Sequence, residues 1–558
     1  MKYLDFTTSN CKDCFKCLRE CPVKAIKYEN HRANIIESKC ILCGKCTHVC
    51  PQNAKKVHSE KDSILEMIAN KSTKVVASIA PSFVSSFGVY DFAVMEEALK
   101  SIGFDITEET AIGAKLVTAE YDKLLKEKKF TNLITSACPA INKMIQIYYP
   151  EALKYLAPVV SPMVAHAKTI KKRYPDSKII FIGPCIAKKR EADESGIIDG
   201  VLTFEELNEI FKEREISLAV SNVSTDSVIE KAKNYPITRG IIKSFEKYPE
   251  GYEYVTIDGV DRSFDIFKDI EKLTGQFIEA SCCEYSCING PCALSCDGGI
   301  FKANEDVRRY AKSGSHRFDV DCTDIDLSCI YEPINTNQKE ITEEEIVATL
   351  NKIGKFTESD EFNCGACGYS TCREKAKAVI AGNAELDMCL PYMRTRAESM
   401  SYEIIHNNPN GIVVLDNDYN IIDINKNAKK ILDITATNLI NKPAVEFLDI
   451  SDFVLAEQDN KNIYKKVIAN KETDKYIEVT YVLPEDKRIR FGIYKDISED
   501  VVKNRQIYEL KQETFKTTDE VIKKQMRVAQ EIASLLGETT AETKVALLNL
   551  KKTLDENK

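Results

Sequence analysis

The 558-residue chain lacks any apolar stretch long enough to cross a bilayer. Its longest apolar runs, such as KIIFIG and VVASIAP, fall well short of the roughly 20 residues that a membrane-spanning helix needs. The amino-terminal segment MKYLDFTTSNCKDC also lacks the basic-then-apolar order of a secretory signal. We therefore expect a cytoplasmic protein that does not bind membranes.

A surplus of positive charge is absent as well. The formal net charge is −9 at pH 7, which argues against non-specific binding to nucleic acids or anionic membranes. Tryptophan is missing altogether, and we attach no function to its absence. With 44% hydrophobic and 29% charged residues the chain has an ordinary globular balance, and its length suggests three to five domains.

Cysteine, in contrast, is abundant, with 21 residues. Thiols stay reduced in the cytoplasm, so this abundance indicates metal ligation before disulfides. The first eight cysteines form two copies of the pattern C-x2-C-x2-C-x3-C-P, the spacing of a ferredoxin with two [4Fe–4S] clusters, in which the fourth cysteine of each copy ligates the other cluster. A pair of zinc knuckles is the alternative. The expected ligand sets are Cys11, Cys14, Cys17 and Cys50 for one cluster, and Cys40, Cys43, Cys46 and Cys21 for the other.

A third group lies in NCGACGYSTC and the following MCLPYM, where glycines next to the cysteines allow tight turns. It resembles a small single-cluster [4Fe–4S] domain found in several redox proteins, and zinc held by four thiolates is the competing interpretation. The expected ligands are Cys364, Cys367, Cys372 and Cys389.

Nine cysteines remain, and no local spacing rule interprets them. They are Cys138, Cys185, Cys282, Cys283, Cys287, Cys292, Cys296, Cys322 and Cys329. Small buried hydrophobes are one interpretation. Several, however, lie in the Gly- and Pro-containing segments TSACPA, GPCIAKKRE and EASCCEYSCINGPC, which are typical of the loops on which sites are built.

These three segments resemble, in order, the active-site signatures TSCCP, MPCxxKxxE and ExMxCxxxCxxG of [FeFe]-hydrogenases. The segment VVASIAPSFVSSFG also resembles the strand and loop that lead into the active-site cavity of that family. The resemblance covers residues 1 to about 395. It implies an H-cluster, in which a [4Fe–4S] cubane is joined to a diiron subsite carrying CO, cyanide and an azadithiolate.

The resemblance also assigns residues to that cofactor. It implies that Cys138, Cys185, Cys283 and Cys287 hold the cubane and that Cys287 bridges to the diiron subsite. It implies cofactor contacts from Ala80, Pro81, Ser82, Ala137, Pro184 and Lys188, with Lys188 pairing with a cyanide as a point charge. The expected catalytic residues are Cys287, Lys188, Glu191 and Ser82.

Several departures from the family pattern change the expected activity. Ala137 stands where catalytic members have a second cysteine, whose thiol is the first protein group to pass protons to the bridgehead amine. Alanine has no exchangeable proton, and positioned proton transfer is worth roughly 10²–10⁴-fold, so we expect slow turnover. Family members then carry two glutamates on one helix, where this chain has Val117 and Glu120. Water replacing the missing groups is the alternative.

Further departures affect the shape of the cavity. Gly183 and Ser281 replace two methionines that pack around the diiron subsite. Cys282, Cys292 and Cys296 are additional to the signatures, and we expect unligated thiols, with proton transfer by one of them as the alternative.

The cysteines end before residue 400. The following segment NPNGIVVLDNDYNIIDINKNAKKIL predicts two strands around an Asn-Asp turn and then a short helix, and YIEVTYVLPEDKRIRFGIYKDIS predicts further antiparallel strands. Together they resemble a PAS domain. The tail has apolar residues at 521, 528 and 535 and at 522, 529 and 536, a heptad-like spacing that predicts a helical interface in a homodimer or with an output protein.

The fold class is therefore multidomain α/β and α+β. The expected domains are a two-cluster ferredoxin domain at 1–62, an α/β H-cluster domain at 63–335, a single-cluster domain at 336–396, a PAS domain at 397–503 and a helical signalling tail at 504–558. Hydrophobic strands such as KVVASIA and KIIFIG should lead into site loops at the carboxyl ends of a parallel sheet.

The expected function is hydrogen sensing by a slow [FeFe]-hydrogenase. Three [4Fe–4S] clusters and the H-cluster would relay a redox change to the PAS domain and to a separate kinase or phosphatase. A metabolic hydrogenase that exchanges electrons with a ferredoxin-like partner is one alternative, and an iron–sulfur signalling protein without the diiron subsite is another.

Overall fold

The computed structural model describes residues 2–7, 10–30, 32–218, 230–312, 325–335, 341–436, 439–458, 463–470, 475–484, 489–536 and 540–555. The chain forms two compact units, Met1–Tyr392 and Met393–Lys558. Among the described residues, no helix combines the length and apolar character needed to cross a membrane.

The amino-terminal domain is built from two similar halves, as the duplicated cysteine pattern predicts. In each half a backbone N–H four residues downstream donates to the sulfur of the fourth cysteine: Ala25 to Cys21 and Ala54 to Cys50, both at 3.3 Å. Strands β1 and β4 pair antiparallel, and β2 and β3 form a hairpin. The elements are β1 (Leu4–Phe6), α1 (Lys16–Glu20), β2 (Ile26–Glu29), β3 (Arg32–Ile35), α2 (Lys45–His48) and β4 (Lys55–Val57).

The central domain contains two parallel sheets, so the expected α/β fold with parallel strands is confirmed. The first has the order β6-β5-β8-β9 and the second the order β10-β11-β7. Strands β5 and β8 are buried almost throughout, as is typical of parallel strands covered on both faces. The strands are β5 (Val75–Ile79), β6 (Ile106–Glu109), β7 (Leu133–Ile134), β8 (Lys178–Gly183), β9 (Gly200–Thr203), β10 (Glu253–Asp258) and β11 (Gln276–Ser281).

Helices follow most of these strands, and several begin where the sequence offers a start signal. Helices α7 and α8 begin at prolines, whose fixed φ suits the first helical position, and α10 begins with a capping box between Thr203 and Glu206. The helices are α3 (Lys61–Ala69), α4 (Phe83–Phe87), α5 (Phe92–Ile102), α6 (Ala111–Glu127), α7 (Pro139–Tyr148), α8 (Pro162–Arg173), α9 (Ala187–Ser195), α10 (Phe204–Glu213), α11 (Gly240–Lys243), α12 (Val260–Asp269) and α13 (Gly299–Lys312).

A small domain with its own hydrophobic core completes the first unit. Helices α14 (Glu343–Asn351) and α15 (Cys372–Ile380) each begin with a capping box. This domain packs on the ferredoxin domain, because the Lys24 ammonium donates to the Gly368 carbonyl at 3.1 Å. A Cβ on Gly368 would lie 2.3 Å from Leu18, so this contact requires glycine.

The second unit contains a five-stranded antiparallel sheet with the order β13-β12-β16-β15-β14. The two segments that predict PAS strands form β12 with β13 and β15 with β16, and the predicted short helix is α17. Strand β14 was not predicted. The elements from residue 390 onward are α16 (Leu390–His406), β12 (Gly411–Leu415), β13 (Ile421–Ile424), α17 (Lys426–Ile431), α18 (Ser451–Gln458), β14 (Ile463–Asn470), β15 (Lys475–Val482), β16 (Arg490–Asp496), α19 (Ser498–Leu536) and α20 (Thr540–Asp555).

The tail is helical, as the heptad-like spacing predicts. Helix α19 runs for 39 residues, and Lys551 on α20 lies 3.4 Å from Asp519, so the two helices turn back on one another. Within the predicted interface Ile522 is buried, whereas Val521 and Val528 are exposed. The homodimer remains a prediction.

Candidate active site

A cavity of about 120 Å³ lies where the central parallel strands end. Its wall is formed by the segments that follow β5, β7, β8 and β11. The carboxyl ends of parallel strands are where open α/β folds place ligands. Four cysteines from three separate segments of the sequence line this one cavity: Cys138, Cys185, Cys283 and Cys287.

Hydrogen bonds and close backbone contacts fix the loops that carry these cysteines. The hydroxyl of Thr135 accepts a hydrogen bond from the backbone N–H of Ala280 at 3.1 Å, which ties the loop after β7 to β11. Gly290 lies so close to the loop after β8 that a Cβ would be 2.6 Å from the Pro184 carbonyl oxygen. The third signature therefore packs directly on the second.

The thiols of the cavity lie next to one another. Cys138, Cys185 and Cys283 are half-buried and Cys287 is exposed. Desolvation by the surrounding protein and the neighbouring cysteines raise the pKa of Cys185 to about 11 and that of Cys287 to about 12. Because the thiolate is the metal-binding form of cysteine, loading this site with iron must release protons.

The cavity wall also carries a polar group that suits an anionic cofactor. The predicted contact residues Ala80, Pro81 and Ser82 all line the cavity. The Ser82 hydroxyl is buried and finds no hydrogen-bond partner within the described parts of the chain, which is costly unless a bound group satisfies it. Four thiols and an unsatisfied hydroxyl around one cavity fit the H-cluster that the resemblance implies.

Lys188 supplies a fixed positive charge at the cavity wall, next to Pro184. Its ammonium donates to the Glu191 carboxylate at 2.6 Å, the Ser161 hydroxyl at 3.0 Å and the Ala137 carbonyl at 3.4 Å. Among the described residues the cavity wall includes Lys188 but not Glu191, so Glu191 contacts the cavity through Lys188. Its catalytic role stays a prediction.

The two missing methionines are compensated in different ways. A Cβ on Gly183 would lie 2.7 Å from the Phe181 ring, so that ring fills the space that a side chain at position 183 needs. The Ser281 hydroxyl lies 3.1 Å from that of Ser286, so a hydrogen bond replaces apolar packing there.

Ala137 lines the cavity as predicted. Val117 is fully buried in the hydrophobic core. Glu120 pairs with Lys123 at 3.6 Å, and its side chain is 35% exposed. Where family members carry the two glutamates of their proton route, this chain therefore has a buried apolar residue and a partly exposed carboxylate.

The ferredoxin domain reaches the same cavity. Cys43 and Cys282 both line it, and a Cβ on Gly44 would lie 2.3 Å from Pro291. Gly44 also has φ of 77°, the left-handed region that favours glycine. The loop carrying the predicted second cluster thus lies directly against the third signature, which suits electron transfer between the two.

The structure groups cysteines of two of the three other predicted ligand sets. Burial and the Cys43 and Cys40 thiols raise the pKa of Cys21 to about 12, which places the fourth cysteine of the first repeat beside the second repeat, as predicted. The third group surrounds a cavity of about 20 Å³, with Lys375 in its wall. Its members are Cys364, Cys367, Cys372 and Cys389.

The additional cysteines have separate environments. Cys282 and Cys292 are buried, while the half-buried Cys296 lies 3.8 Å from the Asp306 carboxylate. Cys329 is half-buried, and Cys322 lies outside the described residues.

The polar residues of the cavity wall include some to which sequence reasoning gave no role, among them Thr110, Tyr235 and Glu279. Glu279 accepts a hydrogen bond from the Ile242 N–H at 2.9 Å, and burial raises its pKa to about 7. Glu279 belongs to the third signature, which was the available signal. Thr110 has none, because it becomes a wall residue only when α6 starts beside β5.

Comparison with known proteins identifies four segments. Residues 73–291 match the family described as iron only hydrogenase large subunit, C-terminal domain. Residues 10–54 match a 4Fe-4S dicluster domain, residues 360–391 a putative Fe-S cluster domain, and residues 400–528 the PAS fold. The third cysteine group thus lies in a segment similar to iron–sulfur proteins.

Two curated relatives are hydrogenases. Iron hydrogenase 1 of Clostridium pasteurianum is 27% identical over 282 residues, which are 40% of this chain and 49% of that protein. The chain therefore spans about half the length of this relative. The periplasmic [Fe] hydrogenase large subunit of Nitratidesulfovibrio vulgaris is 30% identical over 312 residues, which are 49% of this chain and 73% of that protein.

Solved structures with similarity include a variant of the [FeFe]-hydrogenase of Chlamydomonas reinhardtii, with 18% identity, a TM-score of 0.35, and coverage of 47% of this chain and 91% of that one. They also include the PAS domain of an HTR-like protein from Haloarcula marismortui, with 19% identity, a TM-score of 0.15, and coverage of 19% and 99%. The hydrogenase segment and the coverage of the Nitratidesulfovibrio relative, together with the cysteine-lined cavity, show that the chain belongs to the iron-only hydrogenase family.

Proposed function

We propose that this protein is a hydrogen-sensing [FeFe]-hydrogenase that binds and slowly cleaves H₂ and passes the resulting redox change to its PAS domain. One observation carries the proposal. The cavity retains the four cysteines, Lys188 and Ser82 that the cofactor requires, yet the position that first handles protons holds Ala137. A site that binds H₂ but exchanges protons slowly reports the presence of H₂ without consuming it.

The residues of the cavity have distinct tasks in this proposal. Cys138, Cys185, Cys283 and Cys287 would hold the cubane, and the resemblance implies that Cys287 would also join it to the diiron subsite. Lys188, fixed by Glu191, and the unsatisfied Ser82 hydroxyl would hold the cyanide ligands in place. When bound, the H-cluster supplies the open metal position and the base that heterolytic cleavage of H₂ requires.

The signal leaves the cavity through the iron–sulfur domains. The Cys43 loop receives electrons, and the cluster held by Cys364, Cys367, Cys372 and Cys389 connects the ferredoxin domain to the segment that leads to the PAS domain. Helix α16 supports this order, since it begins directly after Cys389 and ends at His406, shortly before β12. The PAS domain and the tail then act on a partner kinase or phosphatase, with the protein as a homodimer.

An anaerobic infrared spectrum tests the proposal. The protein is matured beside a control hydrogenase, and spectra are recorded under argon and then under H₂. We expect CO and cyanide bands that shift with H₂. The Cys185→Ala variant should lose these bands, whereas Cys329→Ala, which changes a cysteine outside the cavity wall, should keep them.

The possible results separate the alternatives. Absence of bands while the control enzyme matures would contradict the proposal and favour an iron–sulfur signalling protein without the diiron subsite. Bands together with fast steady-state H₂ production would contradict slow turnover and favour a metabolic hydrogenase coupled to a ferredoxin-like partner.

A further inference from the structure

A continuous series of hydrogen-bonded side chains leads away from the cavity on the side of Thr110. Thr110 lines the cavity, and its hydroxyl lies 2.8 Å from the Ser78 hydroxyl, which lies 2.8 Å from Nδ1 of His166. Nε2 of His166 lies 3.0 Å from the Glu108 carboxylate. Arg173 holds that carboxylate with two hydrogen bonds, at 2.6 and 2.5 Å.

This series connects the interior with the surface. Ser78, Thr110 and His166 are buried, with His166 fully excluded from solvent. The Glu108 side chain is 14% exposed and that of Arg173 is 28% exposed. The series therefore begins at the cavity and ends at solvent, without a gap longer than a hydrogen bond.

The charges along the series fix the direction of its hydrogen bonds. Although burial alone would raise it, hydrogen bonds from His166 and Arg173 lower the pKa of Glu108 to about 2, so the carboxylate only accepts. Burial lowers the pKa of His166 and favours the neutral ring. A neutral ring facing a carboxylate carries its proton on Nε2, so Nδ1 accepts from Ser78 and Ser78 accepts from Thr110.

We propose that Thr110, Ser78, His166 and Glu108 form a proton relay between the cavity and solvent, in place of the route that Ala137 interrupts. The inference rests on the proposed function, because the protons it moves arise from H₂ in the cavity. A proton that reaches the Thr110 hydroxyl displaces its own proton to Ser78. The Ser78 proton passes to Nδ1 of His166, and the Nε2 proton passes to Glu108 and then to solvent.

One proton enters and one leaves in this sequence, and each hydroxyl keeps one proton. His166 ends with its proton on Nδ1 and both hydroxyl protons reversed. An inward proton from solvent runs the same steps in reverse and restores Nε2–H, so the relay exchanges cavity protons for solvent protons. The other charged groups near the ring are Arg173, which opposes its protonation, and Glu109, which favours it and is itself paired with Lys233 at 3.1 Å.

Isotope exchange tests the relay. The matured protein is exposed to D₂ in H₂O, and mass spectrometry follows HD and H₂, whose ratio does not depend on the fraction of loaded protein. Slower proton exchange with solvent lets deuterium remain, so Ser78→Ala and Thr110→Val should each lower the H₂-to-HD ratio about tenfold or more. The double variant should match the single ones, because both changes interrupt the same path.

Two variants serve as controls. Ser78→Thr keeps a hydroxyl in place and should restore much of the exchange. Thr169→Val removes a buried hydroxyl from the same helix as His166, one that donates to the backbone carbonyl of His166, and should leave the ratio unchanged.

The outcomes are distinguishable. A ratio in both relay variants within twofold of the unaltered chain overturns the relay alone, as does a lower content of loaded cofactor with an unchanged ratio. Normal infrared bands with no exchange in the unaltered chain overturn the relay together with H₂ cleavage. Absence of bands in the unaltered chain overturns the proposed function itself.

Discussion

Two parts of the cavity wall differ in chemistry. In the apolar wall Ala137 has only a methyl group, and Val117, where family members continue their route, is buried in the hydrophobic core. In the polar wall Thr110 is followed by the hydrogen-bonded Ser78 and His166. The cysteines proposed to bind iron line the same cavity. Under the proposed function, cofactor retention and proton access are separate properties, because the first depends on the cysteines and the second on the surrounding walls.

The largest expected effect comes from giving the apolar wall a proton carrier. Ala137→Cys places a thiol beside Cys138 and in reach of the bridgehead base, so we expect H₂ turnover to rise by roughly 100-fold. Steady-state H₂ uptake with an artificial acceptor measures it, at equal intensity of the infrared bands. Unchanged turnover would show that the apolar wall does not limit the rate. Ala187→Cys, in a buried position of α9 outside the cavity wall, is a matched control.

The stability that the ionised Glu108 contributes to the fold should depend on pH. The pKa of Glu108 is about 2 in the folded chain against an ordinary 4.5, so its ionised form stabilises the fold by about 3 kcal/mol at pH 7. This stabilisation is present above pH 4.5 and is lost as the pH falls through 2. Glu108→Gln should therefore lower the free energy of unfolding by about 3 kcal/mol at pH 7 and by less than half of that at pH 3.

Urea unfolding followed by circular dichroism measures this difference. The control is Glu96→Gln, which breaks an exposed pair with Lys100 and should cost about 0.5 kcal/mol or less. An equal loss at both pH values would contradict the assignment of the stabilisation to an ionised Glu108.

The smallest expected effect tests whether both walls carry protons between the cavity and solvent. In the Ala137→Cys background protons have a second route, so Ser78→Ala should change the H₂-to-HD ratio by about twofold or less, against about tenfold with Ala137 in place. The same D₂ exchange measurement serves. A full tenfold effect in both backgrounds would mean that the walls act in series rather than in parallel.

The two walls also differ in how far the sequence predicts them. The cysteines, Lys188 and Ala137 occur in short segments with fixed spacing, so their meeting in one cavity could be predicted. Ser78, His166 and Glu108 lie on two strands and a helix with no shared local pattern, and packing alone brings them together. Glu108 and Glu109 are adjacent in β6, and only the fold decides that one faces His166 and the other Lys233.

The fold can likewise be divided into features that the sequence predicts and features that it does not. The strands β5 and β8 were predictable from their apolar runs, as was the hairpin of β12 and β13 from its turn. The separation of the central strands into two sheets was not predicted, because pairing partners depend on contacts between distant segments. Phe181 shows this limit within the site, since the absence of a methionine at Gly183 is visible in the sequence, whereas the ring that fills its place is not.

The burial of His166 has a consequence for signalling. The ring is held between Ser78 and Glu108 without access to solvent, so turning it over after an outward proton transfer would break both hydrogen bonds. The position of its remaining proton then records that passage until a proton returns. The ring thus records one outward proton transfer, and one inward proton transfer restores its original state. This property would hinder a catalyst, but it suits a detector that must switch on and off.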